Sequence, residues 1–257
     1  MNSLKLIDSH CHLDFPEFDL DRDQILANCK EFGLWRLIIP ATESATWSRL
    51  IELSESRSEL LFALGLHPLF MKRHRVDDLE RLAAIIEQHR PIAVGEIGLD
   101  FYSDRADAAA QIELFSAQLI LAQKYRLPVL LHVRKAHDEV LKLLRQKNIP
   151  GGIVHAYNGS LQQAQQYRDL GFLLGFGGAL TYPRANHLRA LVTELPLNVL
   201  ALETDAPDMS PRWSKGQRNS PTNLLKIADE IAALRKESLA DVARITTENL
   251  VSLLLPH

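Results

Sequence analysis

The sequence predicts an α/β fold of the (β/α)8 TIM-barrel class, built as a single domain over residues 1–257 with an additional C-terminal helix. Three observations lead there. Short, nearly all-apolar segments of strand length alternate with segments of helical period along the whole chain, the pattern of parallel strands buried on both faces. The length of 257 residues matches the usual size of such a barrel, about 250 residues. No Gly-x-Gly-x-x-Gly turn follows the first strand, which removes the main argument for a doubly wound open sheet.

Residues 4–13 open the chain as a strand that is apolar at its start and carries His10 and His12 at its end. Residues 19–33 have helical spacing in Leu20, Ile25, Leu26 and Cys29, with Gly33 where a helix is capped. A strand at 34–39, a helix at 44–58 and a strand at 60–66 follow, the last turned by His67-Pro68. Next come a helix at 77–89, a strand at 92–97 and a long amphipathic helix at 106–126 on Ile112, Phe115, Leu119 and Ala122. Strands at 129–133, 152–154, 172–176 and 199–202 then alternate with helices at 137–147, 161–170 and 185–194. Helices at 221–236 and 239–254 close the chain.

Composition is that of a soluble globular protein, 46% hydrophobic and 24% charged. A formal net charge of -3 argues against a broad electropositive face for duplex DNA, although it leaves room for a local groove. Cys11 and Cys29 are too few for a disulfide framework and are expected as free thiols. With no secretory signal pattern and no apolar run of about 18 residues, a cytoplasmic location without a membrane partner is expected.

The polar ends of the apolar strands carry the chemistry. Side chains alternate faces along a strand, so His10 and His12 share a face with Leu4, Leu6 and Asp8, while Cys11 points away. The same design recurs as Ile92, Val94, Glu96; as Leu130, His132, Arg134; as Ile153, His155; and as Val199, Ala201, Glu203, Asp205. In a barrel the C-terminal strand ends form one mouth, which would gather His10, His12, Glu96, His132, His155 and Asp205. Any one of these is more often a hydrogen-bonded structural residue. Together they would be costly to bury without a cation, which satisfies imidazoles and carboxylates at once.

Four imidazoles and two carboxylates exceed the usual three protein ligands of one catalytic zinc, so two divalent cations are expected. His10, His12 and Asp205 would hold one, His132 and His155 the other, and Glu96 would bridge them. Nitrogen and oxygen donors without thiolate suit Zn or Mn, with Mg at a more hydrated position.

These residues resemble the TatD family of metal-dependent hydrolases, within the wider amidohydrolase-like metal barrels. The likeness spans nearly the whole chain. It rests on Ile-Asp-Ser-His-Cys-His-Leu at 7–13, Gly-Leu-His-Pro at 65–68, Gly-Glu-Ile-Gly-Leu-Asp-Phe-Tyr at 95–102, His-Val-Arg at 132–134 and Leu-Glu-Thr-Asp-Ala-Pro at 202–207. Asn-Ser-Pro at 219–221 and Thr-Thr-Glu-Asn at 246–249 are similar to the family's C-terminal signatures. The family pattern implies the same six metal ligands, and it implies deoxyribonuclease activity with DNA as substrate. One departure is His-Ala-Tyr-Asn-Gly at 155–159, where the familiar form resembles His-Cys-Phe-Ser-Gly; the ligand position is kept while its neighbours change.

Asp205 is the candidate general base for a metal-activated water, and Glu203 a candidate to orient a ligand from behind or to pair with a buried cation. Arg134 is the candidate for bidentate contact with substrate phosphate, and His67 is either a second phosphate contact or a structural histidine held by its turn. Tyr157 and Phe101 are candidates for stacking on bases or for packing. The basic stretch at 212–218 is either a rim of the mouth or a solvated loop. The alternative enzyme is a hydrolase of a small amide, ester or lactone. An inactive metal-binding module is disfavoured by the complete ligand set, and nothing points to an obligate protein partner.

Overall fold

Parallel strands covered on both faces must be apolar almost throughout, and the chain supplies this: β4 (Ala93–Asp100) is buried at every position. The computed structural model describes residues 4–102 and 107–255. Its strands are β1 (Leu6–Asp8), β2 (Leu34–Pro40), β3 (Leu60–Leu64), β4, β5 (Val129–Arg134), β6 (Gly152–Val154), β7 (Phe172–Phe176) and β8 (Leu200–Leu202), joined in one sheet in sequence order. Helices α1 (Arg22–Glu31), α2 (Trp47–Glu55), α3 (Asp78–His89), α4 (Ala108–Tyr125), α5 (His137–Leu144), α6 (Leu161–Asp169) and α7 (Asn186–Glu194) alternate with them. After β8 come α8 (Leu224–Arg235) and α9 (Leu239–Leu254). This is the (β/α)8 barrel that the alternation predicts, with its additional C-terminal helix.

Two compact units make up the chain, residues 1–39 with 174–257 and residues 40–173. In the first, β1 pairs in parallel with β2 and β7 with β8. The chain just beyond β1 then bonds to the chain just beyond β8. Ser9 N–H donates to Leu202 O at 2.9 Å, Asp205 N–H to His10 O at 2.8 Å and His12 N–H to Ala206 O at 2.8 Å. From α9, the Thr247 hydroxyl donates to Lys5 O at 2.8 Å, and the Asn249 amide donates to Leu197 O and Leu200 O at 3.0 and 2.9 Å. The Thr-Thr-Glu-Asn motif therefore ties the terminal helix to the starts of β1 and β8. In the second unit β3, β4, β5 and β6 pair in parallel in that order.

Several predicted elements are shorter at their ends, the third strand stopping at Leu64 and the second helix spanning Trp47–Glu55, and three further departures are local. β1 ends at Asp8, so His10 and His12 lie in the irregular segment after it, where backbone bonds to the β8 end replace a regular ladder. β4 runs on to Asp100 and carries one extra residue against β5, since Val94 pairs with Val129 while Ile97 pairs with Leu131. Such a bulge re-aims a side chain, and here Glu96 sits inside it, where simple alternation no longer holds. Residues 221–223 form a separate 3-10 turn before α8. The predicted first residue of the long fourth helix, Ala106, lies outside the described residues.

Two buried glutamines on α4 pin the loop after β3 and the last residue of β4. Gln118 accepts from Leu66 N–H at 2.8 Å and donates to Leu66 O at 3.0 Å; Gln111 does the same for Asp100, at 2.9 and 3.1 Å. Each side chain replaces a missing backbone partner on both sides of one residue. Gln118→Leu leaves a buried donor and acceptor without partners, so it is expected to cost about 2–4 kcal/mol of stability, read as a lower urea midpoint at unchanged slope.

Candidate metal centre

In the first unit, closure of β8 beside β1 brings together two imidazoles and one carboxylate. His10 and His12 lie with their Nε2 atoms 3.3 Å apart, and Asp205 Oδ1 is 3.7 Å from the first and 3.6 Å from the second. Phe15 stacks on the His12 ring at 4.7 Å between centroids and steadies its orientation. Asp205 sits in a left-handed backbone conformation, φ 56°, which Asp tolerates better than most residues.

Behind them is Asp8, fully buried. It accepts from Thr204 Oγ1 at 2.6 Å, from Thr204 N–H at 3.0 Å and from His10 N–H at 3.2 Å. Burial pushes its pKa up to about 7 despite those donors. The carboxylate thus fastens the His10 backbone to the end of β8.

Glu203 is buried against β7, where glycine is required: a Cβ on Gly175 would lie 2.0 Å from Glu203 Oε2. Arg212 pairs with Glu230 and Arg218 with Asp21, so both arginines of the 212–218 stretch are bound to carboxylates of their own unit. That stretch follows the solvated-loop reading.

The second unit gathers a different set. Glu96 Oε1 is 3.0 Å from His155 Nε2, 3.1 Å from His132 Nδ1 and 3.0 Å from His67 Nε2, and the His132 and His155 nitrogens are 3.3 Å apart. On its far side, His132 Nε2 lies 2.9 Å from Asp100 Oδ2, while Asp100 Oδ1 accepts from Tyr102 N–H at 2.9 Å. Burial resists a charge on His132, but the bonds to Asp100 and Glu96 outweigh it and hold its pKa above the ordinary imidazole value. Asp100 shows the counterpart: burial acts to raise it, and the bonds from His132 and Tyr102 outweigh that and hold it below the usual carboxylate range. His67 is pushed down, chiefly by burial, which outweighs the nearby Glu96 charge.

Close packing of β4 on β5 needs Gly98, whose φ is 146° and whose Cβ would lie 2.0 Å from His132 O. Arg134 is exposed and its guanidinium stacks 3.7 Å over the Tyr102 ring. Tyr157 is buried and its hydroxyl donates to Ser160 O at 2.6 Å, which makes it a packing residue; Phe101 is half-buried.

Both clusters fit divalent cations. Donor atoms at the usual 2.0–2.2 Å from one ion lie about 2.8–3.6 Å from each other, in octahedral or tetrahedral arrangement. The spacings in both units, 3.3 to 3.7 Å and 3.0 to 3.3 Å, fall at or close to that range. With Asp100 accepting at Nε2, His132 directs Nδ1 at Glu96 Oε1, and two such atoms 3.1 Å apart call for a proton or a cation between them. Sequence reasoning missed Asp8, Thr204 and Asp100 as supports. Asp8 and Asp100 stand in the quoted motifs, but their partners lie on other strands.

Comparison with known proteins places the chain among similar ones. The family profile described as TatD related DNase matches residues 7–255. The chain is 40% identical over 252 residues to the uncharacterized metal-dependent hydrolase YjjV of Escherichia coli K12, covering 97% of each. It is 31% identical over 261 residues to human deoxyribonuclease TATDN3, covering 96% of this chain and 94% of that one. The crystal structure of YjjV, a TatD homolog, superposes with a TM-score of 0.94 at 39% identity over 98% of each chain.

Two substitutions test the supports. Asp100→Asn offers one acceptor where two are used, which disturbs either the Tyr102 N–H or the His132 tautomer; metal affinity measured by calorimetry is expected to fall by about 10- to 100-fold. Gly175→Ala drives a methyl group into Glu203 and is expected to cost about 1–3 kcal/mol, seen in thermal melting.

Proposed function

The chain belongs to the family of TatD-related DNases and is a metal-dependent hydrolase, and from that premise we propose that it is a deoxyribonuclease that hydrolyses DNA phosphodiester bonds with water activated by two divalent cations. The observation that carries the reading is the pair of strand-end clusters, His10, His12, Asp205 in one unit and Glu96, His132, His155 in the other, each with donor atoms at ligand spacing. The deoxyribonuclease name of the human relative supports the choice of substrate.

In this proposal His10, His12 and Asp205 would hold one cation, and Glu96, His132 and His155 would hold the other, the C-terminal strand ends of a barrel being its active face. The cations, when bound, supply Lewis acidity that lowers the pKa of the attacking water and offsets charge developing on the phosphoryl oxygens. The chain's own groups do the rest. Asp205 accepts the proton of the attacking water. Arg134, exposed and stiffened by its stack on Tyr102, makes bidentate contact with a substrate phosphate. Glu203, wedged against Gly175, keeps the adjoining Asp205 segment in place.

We place the enzyme in the cytoplasm, because Cys11 and Cys29 are free and buried, as suits a reducing compartment. Among the described residues no helix is long and apolar enough to cross a membrane.

The test is metal-dependent release of nucleotides from single- and double-stranded DNA, run beside a panel of amides, esters and lactones. Turnover of DNA that disappears with a chelator and returns with Mn, Zn or Mg is expected; turnover of the small substrates alone would replace the nuclease reading. Asp205→Asn is expected to lower kcat on DNA by about 10²–10⁴-fold, and full turnover at full metal occupancy would reject its role as base.

A further inference from the structure

We propose that His67 is a positioning residue for Glu96: its Nε2–H donates to Glu96 Oε1 and fixes the direction in which that carboxylate meets a cation, with no contact to substrate phosphate. The inference rests on the metal-centre reading above and goes beyond it, since it sets His67 apart from the imidazoles that would ligate.

The tautomer follows from the turn after β3. Leu69 N–H points at His67 Nδ1 at 3.1 Å. A backbone N–H can only donate, so Nδ1 bears a lone pair, and the single proton of the neutral ring stands on Nε2. That nitrogen lies 3.0 Å from Glu96 Oε1, an acceptor. His67 therefore spends its lone pair on Leu69 and its proton on Glu96. Of the three imidazoles around Glu96 Oε1, it is the one with no lone pair to give a metal, and at 4% exposure it has no free N–H to give a phosphate.

The ring is also held from behind, as a positioning group must be. His67 N–H donates to Thr42 O at 2.9 Å, and its carbonyl accepts from Phe70 N–H at 3.1 Å and from His74 Nε2 at 2.9 Å. The preceding residue, Leu66, is the one clamped by Gln118 on both sides. Pro68 fixes the turn that brings Leu69 N–H back over the ring. The Gly-Leu-His-Pro motif thus encodes a preset hydrogen-bond donor.

The first measurement needs no substitution. Long-range ¹H–¹⁵N correlation of the His67 imidazole in metal-free protein is expected to show a protonated Nε2 and a bare Nδ1; a protonated Nδ1 overturns the proposal. The second uses His67→Leu, which removes the donor, and His67→Gln, whose amide nitrogen stands where Nε2 stood. Calorimetric titration with Mn²⁺ is expected to show binding weakened by about 10- to 100-fold in His67→Leu and largely recovered in His67→Gln, with the melting temperature reporting that both are folded. On DNA, kcat falls in His67→Leu while KM stays unchanged. Unaltered Mn²⁺ affinity with a raised KM would instead make His67 a substrate contact and sink the proposal. Failure of the wild-type protein to cut DNA would count against the nuclease reading alone, because the tautomer and the Mn²⁺ titrations are read without DNA.

Discussion

A buried carboxylate joins the two ends of the sheet. Asp8, the last residue of β1, accepts from both the hydroxyl and the backbone N–H of Thr204, 196 positions later in the chain. Around it, Ser9, His12 and Asp205 exchange backbone hydrogen bonds with the opposite segment. β1 and β8 are only three residues long each, too short to hold one another by a regular ladder. The position of His10, His12 and Asp205 therefore depends on this polar fastening rather than on strand length. Burial raises the Asp8 pKa, which measures how strongly the surroundings resist the charge, and the three donors that meet its carboxylate make the junction specific.

In the other unit the organising atom is Glu96 Oε1, faced by three imidazole nitrogens within 3.1 Å. Such crowding is stable only if each nitrogen has a defined proton state. Asp100 decides it for His132 by accepting at Nε2, and the Leu69 N–H decides it for His67 by donating to Nδ1. Those groups are themselves held by Gln111 and by the turn at Pro68, which Gln118 supports. The result is a cluster of imidazole and carboxylate atoms whose directions are set by their own hydrogen bonds.

The family motifs acquire distinct physical meanings in this light. Gly-Leu-His-Pro presets a donor tautomer. Gly-Glu-Ile-Gly-Leu-Asp-Phe-Tyr combines a bulge that re-aims Glu96, a glycine that lets β4 approach the His132 carbonyl, and the carboxylate that orients that histidine. Leu-Glu-Thr-Asp-Ala-Pro carries the threonine that closes the sheet beside the aspartate that faces His10 and His12. The departure at 155–159 is accommodated by burying Tyr157 as a packing residue while His155 keeps its place against Glu96.

By itself the sequence determined the alternation of strands and helices, the barrel class, and the residue types that collect at the strand ends. Those signals are local: apolar periodicity is written within each segment and is read without knowing its neighbours. The same logic brought His10 near Asp205 by requiring the first and last strands to be adjacent. It did not reveal that β1 stops before its histidines, that an extra residue in β4 breaks the alternation at Glu96, or that Asp8, Asp100, Gln111 and Gln118 act as supports. Only the tertiary structure decided those points. A polar side chain has several possible partners, and which one it meets depends on register and on residues far along the chain, information that no local pattern carries.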